Sequence, residues 1–149
     1  YETMKRSEGV GLAAPQIGLA IRLFVIDATP MQEDFPEIET AKKVFINPEI
    51  IDHSEETIAY EEGCLSVPGI HEKVTRPSEV TVHYFDENFV EHTDKFTGFF
   101  ARIVQHEYDH LDGKVFTDHL GALKKRLLKG KLSAISAGKA RTHYRVTLP

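Results

Sequence analysis

The sequence has no tryptophan, two methionines and a single cysteine in 149 residues. One cysteine closes no internal disulfide and no Asn-x-Ser/Thr acceptor occurs, and both facts fit a reducing, cytosolic compartment, which is expected. No apolar run reaches the roughly 18 residues of a membrane span, so a membrane is not expected as a partner. A hydrophobic content of 41% beside 28% charged residues argues against disorder. The length suits one domain over 1–149, which should bury roughly 70% of its unfolded surface without disulfides. Acid is also missing, but only locally. From Gly121 to Pro149 there are eight Lys and Arg and no Asp or Glu, while the first 120 residues carry ten basic residues and all 23 acidic ones. Such a tail is either a solvated helix face or a surface drawn to a polyanion.

The first residue is Tyr1, and residues 2–8 read as the last turns of a helix, so the chain is expected to begin inside an element. Ala20–Asp27 is rich in branched apolar residues and predicts a buried strand. Thr29–Lys43, with two prolines and four acids, predicts an exposed loop. Val44–Ile51 predicts a strand in which Pro48 marks an edge or a bulge, and Thr57–Tyr60 a short one. Val80–Phe85 and Phe89–Lys95 flank Asp86-Glu87-Asn88 as a hairpin. From Phe96 the apolar period becomes helical through Leu111, with Thr93 or Asp94 as the expected cap and Gly113 as the stop. A second helix is expected from an Asp118 cap, with Leu120, Leu123, Leu127 and Leu128 as its apolar stripe. Strands first and helices last predict an α+β fold, with antiparallel or mixed sheets around the first helix and the second helix near the C-terminus.

His106-Glu107-Tyr108-Asp109-His110 is an H-E-x-x-H on that first helix. Positions four apart differ by about 40° around a helix axis, so both imidazoles point at one spot, as two ligands of one metal must. Glu107 stands roughly 100° round, placed to take a proton from a metal-bound water as general base. Two surface histidines at chance spacing give the same pattern. Cys64, in Glu61-Glu62-Gly63-Cys64-Leu65-Ser66, is open to three readings: a third ligand, a small core hydrophobe, or a histidine-activated nucleophile. Gly9-Val10-Gly11-Leu12-Ala13-Ala14-Pro15-Gln16 contains G-x-G-x-x-A, but no strand precedes it and Pro15 follows, so a dinucleotide fingerprint is excluded on context. Its glycines suit close approach of backbone to a ligand, and Gln16 offers a side-chain donor.

The three segments GVGLAAPQ, EGCLS and QHEYDH, in this order, resemble the peptide deformylase family, from Gly9 to about Leu120. Zinc endopeptidases share H-E-x-x-H but take their third ligand downstream of it, whereas Cys64 lies upstream; they remain the alternative. A non-catalytic RNA-binding module built on the tail is a further rival, and it predicts no metal. The resemblance implies removal of the N-formyl group from the starting formylmethionine of nascent peptides in the bacterial cytoplasm or an organelle. It implies one divalent metal, usually Fe2+ and replaceable by Zn2+, Ni2+ or Co2+, on Cys64, His106 and His110. Glu107 becomes the acid and base, and the Gln16 amide and Leu65 N–H the oxyanion donors. Val10, Tyr60, Phe99, Ile103 and the His106 ring would line the methionine pocket, and Gly11 and Glu62 would touch the substrate backbone. Ribosome docking through the basic tail is a further expectation; DNA is not expected as a partner. Relative to the family the chain lacks most of an N-terminal segment, and Gly69-Ile70-His71 stands where many members carry a substrate-holding arginine, which leaves any His71 contact unassigned.

Overall fold

Phe24 and Phe45 face each other across two neighbouring strands and stack with ring centroids 4.6 Å apart. Around that pair the chain builds its larger sheet. In a computed structural model, residues 1–147 are described; Leu148 and Pro149, the last two of the basic tail, lie outside the described residues. The elements run α1 (Glu2–Arg6), β1 (Gly11–Ala13), β2 (Leu23–Asp27), β3 (Lys42–His53), β4 (Thr57–Cys64), β5 (Val67–Pro77), β6 (Glu79–Phe85), β7 (Glu91–Thr97), α2 (Gly98–Leu111) and α3 (Ala122–Ser136). Five strands pair antiparallel in the order β1-β2-β3-β6-β7, and β4 and β5 form a separate antiparallel ribbon. The α+β expectation holds.

Alternation places Phe24, Ile26, Phe45, Val80, Val82 and Tyr84 on the sheet's inner face. The helix α2 covers that face with Phe100, Ala101, Ile103 and Val104. Its other side meets the ribbon. There Val67, Ile70 and Val74 of β5 form a second core with Phe116 and Leu120. So α2 lies between the two sheets, and residues on its flanks can reach both.

Several expectations are met. The β3–β6 register shifts between Ile46 and Glu49, around Pro48, which has no N–H for the ladder. The β6–β7 hairpin turns where Asp86 Oδ1 accepts from the Asn88 and Val90 N–H groups at 2.8 and 3.0 Å. Gly113, at φ +71°, follows the end of α2.

Others are corrected. The helix begins at Gly98, not Phe96, because Thr93, Asp94 and Phe96 are committed to β7 and pair with β6. Phe96 faces inward by strand alternation that happens to coincide with helical spacing. Gly98, at φ +60°, makes the turn from strand to helix. Asp118 does not cap α3; it sits in a 3-10 turn over Phe116–His119 and accepts from the Val115 N–H at 2.9 Å. Half of the expected leucine stripe is also wrong: Leu123 and Leu127 are 72% and 75% exposed, while Leu120 and Leu128 join the ribbon core. The face that docks carries Leu128, Leu132 and Ile135 against the ribbon core, while Leu120 is buried ahead of the helix. The 29–43 loop is exposed in part but anchored by Met31, Phe35 and Ile38. The strand β5 has no counterpart among the sequence expectations.

Candidate metal centre

The helix spacing and the end of β4 meet at one point. His106 and His110 lie one turn apart on α2 with ring centroids 5.1 Å apart, and Cys64 is the last residue of β4. Ligand atoms of Cys64, His106 and His110 all fall within 4.8 Å of one another, with Cys64 Sγ 3.3 Å from His110 Nε2. Burial pushes the Cys64 thiol up, but hydrogen bonds from His106 and His110 outweigh it and bring it down to about 6. A cysteine so placed is poised as a thiolate, the form that binds a metal.

Glu62 sets the ring of His106. Its Oε1 receives His106 Nδ1 at 2.8 Å, which leaves Nε2 as the ligand nitrogen. This carboxylate is buried and held by Arg76 Nε at 2.8 Å, Arg76 Nη2 at 3.0 Å and Arg102 Nη1 at 2.7 Å. Burial would raise its pKa; the bonds from His106 and Arg76 prevail and hold it at about 2. Arg76 also reaches Asp109 Oδ2 at 2.7 Å, and Arg102 donates to the carbonyls of Val74 and Ile58. Arg76, Arg102 and Asp109 were not expected at the site. Two signals point to Asp109 and Arg102 in retrospect: Asp109 lies inside QHEYDH, and Arg102 stands four residues before His106 on the same helix face.

Glu107 is 4% exposed, and burial pushes its carboxyl up to about 7 although both imidazoles pull the other way. Among the described residues its Oε2 is the one buried side-chain polar atom without a hydrogen-bond partner. Its Oε1 lies against the backbone of Gly11, where a Cβ would come within 2.5 Å. Gly11 is therefore glycine because Glu107 occupies the space of its side chain. An orphaned carboxylate oxygen beside a thiolate and two imidazoles fits a metal with a water next to it.

These groups open into a cavity of about 460 Å³ lined by Val10, Gly11, Gln16, Glu62, Leu65, Phe99, Ile103, His106 and Glu107, among others. Tyr60 stands one layer back, corrected from the wall to a support: its ring packs edge-on to Phe99 and under Arg102. Glu62 lines the cavity, and its carboxylate is taken up by Arg76, Arg102 and His106. The Gln16 amide oxygen accepts from the Ala13 N–H at 2.9 Å, which turns its NH2 toward Ser66 Oγ at 2.9 Å and Cys64 Sγ at 3.7 Å. His71 lines the cavity and lies over Gly63, where a Cβ would meet its ring at 2.6 Å.

The sequence profile of the family described as polypeptide deformylase matches residues 1–126. A peptide deformylase of Christiangramia forsetii is 47% identical over 157 aligned residues, covering 100% of this chain and 80% of the relative. One of Cytophaga hutchinsonii is 48% identical over 149 residues with the same coverage of both. The crystal structure of peptide deformylase from Plasmodium falciparum superposes with a TM-score of 0.81 at 37% identity, over 97% of this chain and 81% of that one. With the three motifs in order, their side chains gathered at one point, and relatives matching over the full length of this chain, the chain belongs to the polypeptide deformylase family.

Proposed function

We propose that Cys64, His106 and His110 hold one divalent metal, that Glu107 carries the proton, and that the Gln16 amide and the Leu65 N–H receive the oxyanion. The reaction is that of the family: metal-dependent hydrolysis of the N-formyl group of nascent peptides, releasing formate. The observation that carries the roles is the orphaned, buried Oε2 of Glu107 beside three converging ligand atoms. A metal held by Cys64, His106 and His110 would lower the pKa of a water and polarise the formyl carbonyl. Glu107 takes the proton as water attacks the formyl carbon and returns it to the departing amine. Gln16, fixed through Ala13, aims an N–H at the developing oxyanion, a contact typically worth about 3–4 kcal/mol. Val10, Phe99, Ile103 and the His106 ring, backed by Tyr60, offer apolar walls for the methionine side chain. Gly11 and the main chain of Glu62 flank the path of the substrate backbone. These elements work as one catalytic unit over 1–149.

The test is elemental analysis of anaerobically purified protein followed by a formate-release assay on a formyl-methionyl peptide. About one metal per chain and formate release are expected, with metal lost in Cys64→Ser. An endopeptidase using only H-E-x-x-H would keep its metal in Cys64→Ser and cut long unformylated peptides; the upstream position of Cys64 in the site speaks against it.

The metal in the cell is Fe2+ on this reading, with Zn2+, Ni2+ or Co2+ able to replace it. A thiolate on ferrous iron in an open cleft is vulnerable to oxidation. Activity of the iron form should decay in air within the time that the nickel form stays active. Equal air stability of the two forms would argue against an iron–thiolate site.

The compartment proposed is the bacterial cytoplasm or an organelle, in keeping with one unpaired cysteine. None of the described helices is long and apolar enough to cross a membrane. The outward face of α3 supports docking to the ribosome, whose surface is rich in phosphate. Leu123, Lys125, Arg126, Leu127 and Lys129 are exposed together, and Lys124 is tied to Glu72 at 2.6 Å. Each phosphate contact releases a counterion, so binding should fall steeply with salt. Changing Lys125, Arg126 and Lys129 to Gln should abolish ribosome co-sedimentation while turnover of a short formyl peptide stays as it was. Unchanged co-sedimentation would leave the tail a solvated face.

A further inference from the structure

The chain beyond α3 returns to the metal centre. After Gly138, at φ +70°, residues 139–147 run without regular structure, and Arg141, Thr142, His143 and Tyr144 line the same cavity as His106 and Glu107. The family profile ends at residue 126, so this strap lies outside the matched part. Its anchor is Tyr144. The hydroxyl donates to the main-chain oxygen of Leu65, and Thr142 Oγ1 donates to the Tyr144 carbonyl at 2.7 Å. A second tie crosses the cleft mouth, where His143 Nε2 lies 3.5 Å from Glu8 Oε2.

What Tyr144 holds is the peptide unit between Leu65 and Ser66. The carbonyl of that unit accepts from Tyr144, and its N–H, that of Ser66, donates to Cys64 Sγ at 3.4 Å. A peptide is planar, so fixing the direction of its C=O fixes the direction of its N–H. The Leu65 N–H belongs to the preceding peptide unit of the same turn, joined to the held unit through Leu65 Cα. Glycine-free and exposed at Ser66, the turn has few side-chain ties: Gln16 Nε2 on Ser66 Oγ at 2.9 Å, and Tyr144 on Leu65. A phenylalanine at 144 would fill the same space, but only the hydroxyl reaches Leu65.

We propose that Tyr144 is a positioning residue for deformylation: by holding the Leu65 carbonyl, its hydroxyl keeps the Ser66 N–H on the Cys64 sulfur and the Leu65 N–H aimed at the reacting carbonyl oxygen. The proposal rests on the reading of Leu65 as an oxyanion donor. It gives the strap a part in the chemistry, reached from a segment that none of the three motifs contains.

The test is Tyr144→Phe in the cobalt-loaded enzyme, with kcat and KM for a formyl-methionyl dipeptide and the thiolate-to-cobalt charge-transfer band as readouts. Hydrogen bonds around a ligand tune the metal it binds, so loss of an aligned N–H should shift that band. Expected are a fall in kcat of about tenfold, the upper end of what one neutral hydrogen bond supports, and a KM within about twofold of the parent. Thr142→Ala, which loosens the strap two residues away, should move kcat and band in the same direction and by less. Both readouts must move. An unmoved band overturns the strap itself and leaves Leu65 as it was read. A shifted band with unchanged kcat overturns the premise instead, since the turn has then moved without affecting the reaction. A lowered melting temperature with parental kcat and band assigns Tyr144 to packing and overturns the proposal too.

Discussion

Glu107→Gln should retain about one metal per chain and lose about 10²–10⁴-fold in kcat on a formyl-methionyl peptide, the usual contribution of general acid–base catalysis. The side chain is nearly isosteric, so the packing of Oε1 against Gly11 survives. The amide cannot take a proton from water or hand one to the amine. Among the described residues Oε2 has no hydrogen-bond partner, so removing its charge breaks no internal bond there. Stability should therefore hold or rise slightly, because a buried carboxylate pushed up to about 7 is desolvated more than it is solvated by its neighbours. The measurement is metal content, melting temperature and kcat on one preparation. A variant that turns over normally, or one that arrives without metal, would remove Glu107 from the role of proton carrier and make it a ligand or a bystander.

The metal centre was legible because its chemistry demands fixed spacing. Two imidazoles at i, i+4 on a helix point at one spot, the three motifs in order separate that pattern from chance spacing, and α2 delivers the geometry. The scaffold of that centre was not legible. Strand β5 hides behind Pro68-Gly69 at one end and Pro77 at the other, and its inward positions include Arg76, a charge where alternation calls for an apolar residue. Arg102 hides in the same way on α2, at 4% exposure on the face that carries His106. Charges that are buried because they hold one another leave no hydropathy signal. The α3 stripe failed for a different reason. The helix carries leucines on two faces, Leu123 and Leu127 on one and Leu128 and Leu132 on the other, and only the ribbon core against which it packs selects between them. Nor could spacing have brought residues 141–144 to a cleft built from Gly11, Cys64 and His106; that contact is set by where α3 ends.

Glu62→Ala should be the most destabilising single change at the site. It removes the carboxylate shared by Arg76 and Arg102, both 4% exposed; Arg76 keeps Asp109, and Arg102 is left with the carbonyls of Val74 and Ile58. Breaking one side of a buried charge cluster typically costs about 3–5 kcal/mol, enough to lower the melting temperature by about 10 °C in a chain of this size. It also frees Nδ1 of His106, so the ring loses the bond that fixes its tautomer and direction. Loss of such an outer partner typically weakens metal binding about 10–100-fold. The two effects separate in a double-mutant cycle. In Glu62→Gln with Arg102→Met, the carboxylate is neutralised together with the guanidinium that its loss would strand, while Arg76 keeps Asp109, so the pair should cost less stability than the sum of the single changes. Metal affinity should not recover in the same way: the Gln amide makes a weaker, uncharged bond to His106, and Arg102 does not touch that ring. Stability partly restored while metal binding stays weak is the expected pattern. Additive losses of stability would mean that Glu62 and Arg102 do not act as a unit. Parental metal affinity in Glu62→Ala would mean that His106 is aimed by its helix alone.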